Sequence, residues 1–319
     1  MKFGLSVACY RWICYPPTPH DNQGALIFNI GHPAFLNMGW PLPYTTSLRP
    51  PRPGQEWQWI IDKTAELGLS PLYLSTRWFA DEEAAKRTRE YAEAKGIALL
   101  GGGQADFVSD AGEWEHEKMN FVQQLRITRA LGASAMAAVH TGALGHNHFS
   151  KDPPVIVQLR RMIQHFRELV PRAEEVGVVM AFENHMDYRC SEIAEVVAGV
   201  DSPWLRVNFD FANSYSVIED PLDAARAVAE WTVMAHIKDM RVQPKTLTGE
   251  PQIRWAPLGR GTVPVGEILE VLAGKAPDPD NLPLCLEIAP LPDQDPDLWV
   301  KMSIEHMRSH FGEYLTHAR

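Results

Sequence analysis

The chain has 319 residues, 45% of them hydrophobic and 22% charged, with a formal net charge of −10. That length and composition suit one large α/β barrel with an ample core and exclude disordered or fibrous classes. The acidic balance, with no basic run, argues against nucleic acid and anionic membranes as main partners, because phosphate binding needs clustered Lys and Arg.

The first strand is expected at residues 3–8 (FGLSVA), followed by an irregular insertion over residues 9–53. That insertion is rich in aromatics and prolines. It either covers a pocket or packs on itself, with Trp12, Tyr15, Phe35 and Trp40 as candidates for stacking on a sugar or a ring attached to one. QEWQWIIDKTAELG reads as a helix with a glycine stop, PLYLS as a strand, and DEEAAKRTREYAEAKG as a helix with acidic residues in its first turn. IALLGG is a strand, WEHEKMNFVQQLRITRALG a helix and AMAAVH a strand.

The second half repeats the unit. Residues 154–176 form a long helix, VVMAFE a strand, and SEIAEVVAGV a helix with Ser191 as N-cap. LRVNFD is a strand, PLDAARAVAEW a helix, VMAHIK a strand and VPVGEILEVLAG a helix. LPLCLEI is the last strand and DPDLWVKMSIEHMRSHFGEYL the closing helix.

Short, wholly apolar strands alternating with helices predict a single-domain (β/α)8 TIM barrel over residues 1–319. An open doubly wound sheet would want a glycine-rich phosphate loop, and GGGQ at 101–104 is not GxGxxG. The four cysteines, Cys9, Cys14, Cys190 and Cys285, lack CxxC spacing and read as reduced thiols. With no signal-peptide pattern at the start and no apolar run of bilayer length, a cytoplasmic protein is expected.

In such barrels the active site lies at the C-terminal strand ends. Here those ends carry His140, Glu183, Asp210, His236 and Glu287. Three carboxylates meeting beside an imidazole at one mouth repel and raise one another's pKa unless a cation joins them. Glu183, Asp210, His236 and Glu287 are therefore the expected ligands of one divalent ion, Mn2+ first, with Mg2+, Co2+ or Zn2+ as alternatives.

The stretches AFENH, VNFDFANS, EDPLDAARAVAEWTVMAHIKDM, PLGRGTVPVGEIL and CLEI, spanning residues 178–288, resemble the sugar phosphate isomerase/epimerase superfamily, the xylose isomerase-like barrels. That superfamily includes ketose 3-epimerases, inosose isomerases and dehydratases, and endonuclease IV. The resemblance implies the same four metal ligands. Two departures stand out: Asn213 replaces the histidine usual three residues after the ligand Asp, and MDYRC replaces a further Glu after the strand-5 ligand.

The expected chemistry is proton abstraction next to a carbonyl of a sugar or keto-sugar, through an enediolate, with Glu183, Glu287 or His140 as base. Lys238 either stabilises the enolate oxygen or pairs with Asp239. His185 bonds either substrate hydroxyls or a ligand carboxylate. Arg260 either reaches a substrate oxygen or fixes its own loop, and Asn213 and Trp12 are candidates for substrate contact. His146 and His148 read as solvated loop residues. The alternative is a lyase, resembling the catalytic subunit of C-glycoside deglycosidases, which eliminates the aglycone of a 3-keto-glycoside and works with a small β-rich partner. Either a homo-oligomer or such a hetero-oligomer is expected. A nuclease resembling endonuclease IV would need more histidines and a basic face.

Overall fold

The computed structural model describes residues 1–14, 48, 51–52, 54–141, 145–243, 249, 251–290 and 294–316. Of Trp12 the backbone alone is described, and Tyr15, Phe35 and Trp40 lie outside the described residues. Eight parallel strands close a barrel: β1 (Lys2–Ser6), β2 (Leu72–Ser75), β3 (Leu99–Ala105), β4 (Ala135–His140), β5 (Val179–Glu183), β6 (Leu205–Asp210), β7 (Thr232–Ile237) and β10 (Pro283–Leu286). Around the barrel the chain runs β1-β2-β3-β4-β5-β6-β7-β10 and back to β1.

A short helix α1 (Arg11–Cys14) follows β1. The outer ring is α2 (Glu56–Glu66), α3 (Glu82–Glu93), α4 (Ala111–Ala130), α5 (Val155–Val176), α6 (Cys190–Val200), α7 (Pro221–Val228), α8 (Val265–Lys275) and α9 (Pro296–Phe311). Aspartates start four of these helices. Asp81, Asp110, Asp220 and Asp295 each accept a hydrogen bond from a first-turn N–H, satisfying donors a helix start leaves free. α5 ends at Gly177 with φ 72°, the left-handed cap that glycine adopts at little cost. Among the described residues, no helix is long and apolar enough to cross a membrane.

Three expectations need correction. The strand expected over 3–8 ends at Ser6 and gives way to a buried 3-10 turn, Val7–Tyr10, and the insertion expected from residue 9 opens with that turn and a helical turn, Arg11–Cys14, rather than as an irregular stretch. Ser191 does not cap α6. The cap is Arg189, whose backbone N–H reaches Glu192 Oε2 at 2.9 Å, while Glu219 Oε2 takes the N–H of Cys190 at 2.8 Å. Finally, an antiparallel hairpin, β8 (Asp239–Gln243) with β9 (Gln252–Ala256), lies between β7 and α8 and was not read from the sequence.

Side chains alternate across a strand, so one face of each barrel strand points inward and the other toward the helices. The helix-facing side joins one large apolar core. The inward side forms a small plug of Leu100, Ala137, Ala181, Met234 and Cys285, with Tyr73 against it. Counting two residues on from Ala181, Met234 and Cys285 gives Glu183, His236 and Glu287. The period that builds the plug therefore aims these three polar residues into the mouth above it.

Candidate metal centre

At that mouth His236 Nδ1 lies 3.6 Å from Glu183 Oε2, 3.6 Å from Glu287 Oε2 and 3.9 Å from Asp210 Oδ2. Ligand atoms of Glu183, Asp210 and His236 lie within 4.8 Å of one another. All four residues are buried. Each arrives from a different strand end, which is why the apolar run of β5 walks straight into a carboxylate.

Neighbouring groups fix each ligand. Asn208 Nδ2 donates to Glu183 Oε2 at 2.7 Å. Ser6 Oγ donates to Glu287 Oε1 at 3.0 Å. Asn184 Nδ2 donates to the carbonyl of Asp210 at 2.8 Å, and the Asp210 N–H returns a bond to Asn184 Oδ1 at 2.7 Å. The Tyr73 ring stands edge-on to His236 with centroids 4.6 Å apart. Tyr73 fits because β3 is glycine there: a Cβ on Gly102 would lie 1.9 Å from the Tyr73 hydroxyl. Such supports typically change metal affinity by about 10–100-fold.

Lys238, two residues on from His236, is buried in the same mouth. Its ammonium pairs with Asp210, lies 2.8 Å from Glu287 Oε2 and 3.3 Å from Asn213 Oδ1, and sits 4.7 Å from the centre of the Trp255 ring. It does not pair with Asp239. That carboxylate instead accepts the backbone N–H groups of Gly259, Gly261 and Val263 at 3.0, 2.7 and 3.1 Å. Gly261 is needed for the approach, since a Cβ there would meet Asp239 Oδ1 at 1.9 Å.

The charges explain the pKa pattern. Burial, then Glu287 and Asp210, push the Glu183 carboxyl up to about 8, against His185 and Lys238. Burial also raises Asp210 to about 7, although Lys238 opposes it. Burial would raise Glu287 too, but Lys238 and His236 hold it well below the usual carboxylate range. Burial lowers His236 to about 4, leaving a neutral imidazole with a lone pair to give. The donor set fits a divalent cation. Three carboxylates face one mouth, two of them resist ionising there, and a dication supplies the missing positive charge.

The other sequence candidates fall around this centre. Asn213 is brought into it by Lys238. His185 is adjacent: burial lowers its pKa, but Asp187, with Nδ1–Oδ2 3.4 Å, and Glu183 raise it to about 9. His140 is engaged elsewhere. The Phe107 N–H donates to its Nδ1 at 3.3 Å and its Nε2 faces the His146 carbonyl at 3.3 Å, which assigns a neutral ring with the proton on Nε2. Burial lowers its pKa accordingly. His146 and His148 are not merely solvated: they pair with Asp106 and Glu192 at 2.9 and 2.8 Å. Arg260 is exposed on the loop that Asp239 pins.

Sequence reasoning missed Ser6, Tyr73, Asn184, Asn208 and Trp255. Asn208 was within reach, since it stands two residues before Asp210 and shares its face. Trp255 was not, because its hairpin went unread.

A closed (β/α)8 barrel with this convergence at its strand ends defines the class. The xylose isomerase-like TIM barrel family model matches residues 61–310, and the chain belongs to that family. Solved structures share the fold at low identity. The IOLI protein with a bound zinc atom superposes with TM-score 0.66 at 12% identity, covering 99% of this chain and 100% of that one. The probable 3-DHS dehydratase AsbF from Bacillus anthracis gives 0.64 at 14%, covering 97% and 100%. D-psicose 3-epimerase in the presence of D-fructose gives 0.59 at 17%, covering 80% and 91%. The Escherichia coli protein YihM is 32% identical over 66 residues, a match that spans about a fifth of the length of either chain.

Proposed function

We propose that the chain is a divalent-metal-dependent carbohydrate enzyme. It removes a proton next to a carbonyl of a sugar or keto-sugar and returns it to give an isomer or epimer. The observation that carries this reading is the convergence of Glu183, Asp210 and Glu287 on His236, within 3.6–3.9 Å, at one buried mouth. Three carboxylates and an imidazole so placed suit a divalent ion with a carboxylate beside it to carry a proton.

Glu183, Asp210, His236 and Glu287 would hold the ion, Mn2+ by preference, and the bound ion would polarise the substrate carbonyl. Glu183 is the proton carrier: Asn208 fixes its Oε2, and its Oε1 takes no hydrogen bond from the described residues. Glu287, held by Ser6 and Lys238, stays ionised. Lys238 acts through those carboxylates and keeps positive charge beside the centre. His185, with Asp187, presents a charged donor to substrate oxygens at the rim. The related folds named as an epimerase and a dehydratase support the reading at the level of fold. The net charge of −10 favours a small neutral carbohydrate over nucleic acid.

One observation favours a second reading, elimination. Asn213 Nδ2 is buried without an acceptor among the described residues. An amide there can hold a leaving oxygen but cannot carry a proton.

The test is wash-in of solvent deuterium at the carbon next to the carbonyl, followed by NMR, with Mn2+ and a panel of ketohexoses and 3-keto-glycosides. Exchange lost in Glu183→Gln is expected. No exchange with any substrate, or full exchange in Glu183→Gln, refutes the assignment. Release of an aglycone selects the lyase.

A further inference from the structure

Lys238 is caged to a degree that its proposed neighbourhood to a metal ion does not require. An ammonium has three N–H groups, and three protein oxygens surround this one: Asp210 Oδ2, Glu287 Oε2 and Asn213 Oδ1. The Trp255 ring closes the remaining side at 4.7 Å, in the arrangement that attracts a cation to an aromatic face. The residue is 1% exposed. The ammonium is hydrogen-bonded to Glu287 and Asn213 and ion-paired with Asp210, so the lysine works through the groups that hold it.

The oxygens it uses are those that face the imidazole. Glu287 Oε2 and Asp210 Oδ2 are the atoms 3.6 and 3.9 Å from His236 Nδ1, and both are in contact with the ammonium. The lysine and a divalent ion at His236 therefore draw on the same two lone-pair donors. With all three ionised as metal ligands, the carboxylates carry −3 against the +1 of the ammonium, an excess of negative charge that a dication offsets.

We propose that Lys238 is a resident counter-cation that competes with the divalent ion for Asp210 and Glu287, weakening its binding so that the ion is single and exchangeable. Trp255, from the β8–β9 hairpin, is the positioning residue that presses the ammonium onto the carboxylates. This inference rests on the metal-centre reading of the same site and names its regulation.

The experiment is a titration of metal-free protein with Mn2+ alone, followed by calorimetry and by the loss of the free-ion EPR signal, so that no substrate is needed. Wild type is expected to bind one ion. Lys238→Met keeps the apolar stem under Trp255, one atom shorter, but removes the charge. It is expected to bind the first ion on the order of tenfold or more tightly, from Coulomb interaction at contact distance. Wild type binding no Mn2+ would refute the metal centre itself. Wild type binding one ion, with Lys238→Met binding no more tightly, would refute this inference alone.

If Lys238→Met does not fold without metal, Trp255→Leu decides. It keeps the ammonium but removes its aromatic cap. Mn2+ affinity should then rise about twofold to tenfold, the range a cation over a ring supports, and unchanged or weaker binding overturns the proposal.

Discussion

The side-chain amide of Asn208 donates from Nδ2 to Glu183 Oε2 at 2.7 Å, between neighbouring barrel strands and out of contact with solvent. It turns one carboxylate oxygen away from free rotation and leaves the other for the substrate side. Asn208→Ala should therefore weaken Mn2+ binding by about 10–100-fold while the fold persists. Calorimetric titration with circular dichroism checks it. Unchanged affinity would mean that Glu183 is held by other means.

The metal-free protein should lose stability as pH rises. Glu183 titrates near 8 in the folded chain against 4.5 ordinarily, and Asp210 near 7 against 3.8. The unfolded state gives up these protons first. The stabilisation is thus complete below the ordinary values and gone above the folded ones. His236, lowered to about 4, works the other way up to its ordinary value of 6.5, so without metal the melting temperature should fall from about pH 6.5 to pH 8, and the gain on adding Mn2+ should grow across the same window because the ligands bind it deprotonated. Differential scanning calorimetry reads both slopes, and a flat profile in each would remove the charge argument.

His140→Ala should cost stability more than chemistry. Both ring nitrogens face backbone groups, and removing the ring leaves the Phe107 N–H without its acceptor. A loss of about 1–3 kcal/mol is expected in urea unfolding, with deuterium wash-in within about threefold of wild type once the protein is folded. A rate loss of the size expected for a general acid/base, about 10²–10⁴-fold, would return His140 to the reaction.

Gly102→Ala should be destabilising although it adds one methyl. The new Cβ would fall 1.9 Å from the Tyr73 hydroxyl. Overpacking of this kind costs about 1–3 kcal/mol, and the displaced Tyr73 ring should disturb His236 as well. Tyr73→Phe in the same chain should return part of the loss in thermal melts. A neutral Gly102→Ala would show that β2 yields more easily than its packing suggests.

The barrel was legible because its signal is local and repeated: apolar runs too short for helices, each followed by a helix with an aspartate or glycine at its edge. The four candidate ligands were legible for the same reason, as polar residues closing apolar runs. What was not legible depends on distance in space. Nothing in the stretch around Lys238 tells that its partners are Asp210 and Glu287 rather than the adjacent Asp239. That choice follows from strand alternation, which turns Lys238 inward, and from three backbone N–H groups that claim Asp239. Tyr73 was hidden likewise. Its place is made by glycines on the next strand, which from sequence looked only like a failed nucleotide motif.

The paired bonds between Asn184 and Asp210 continue the β5–β6 ladder past its end with a side-chain amide in place of main chain. That contact needs no ion. The seat of Asp210 is therefore set when the chain folds, and the proposed ion would be loaded in a later, separate event. A centre assembled in that order would accept whatever suitable ion its surroundings offer and trade it for another without unfolding, so the species found in the isolated protein should follow the medium in which the cells were grown.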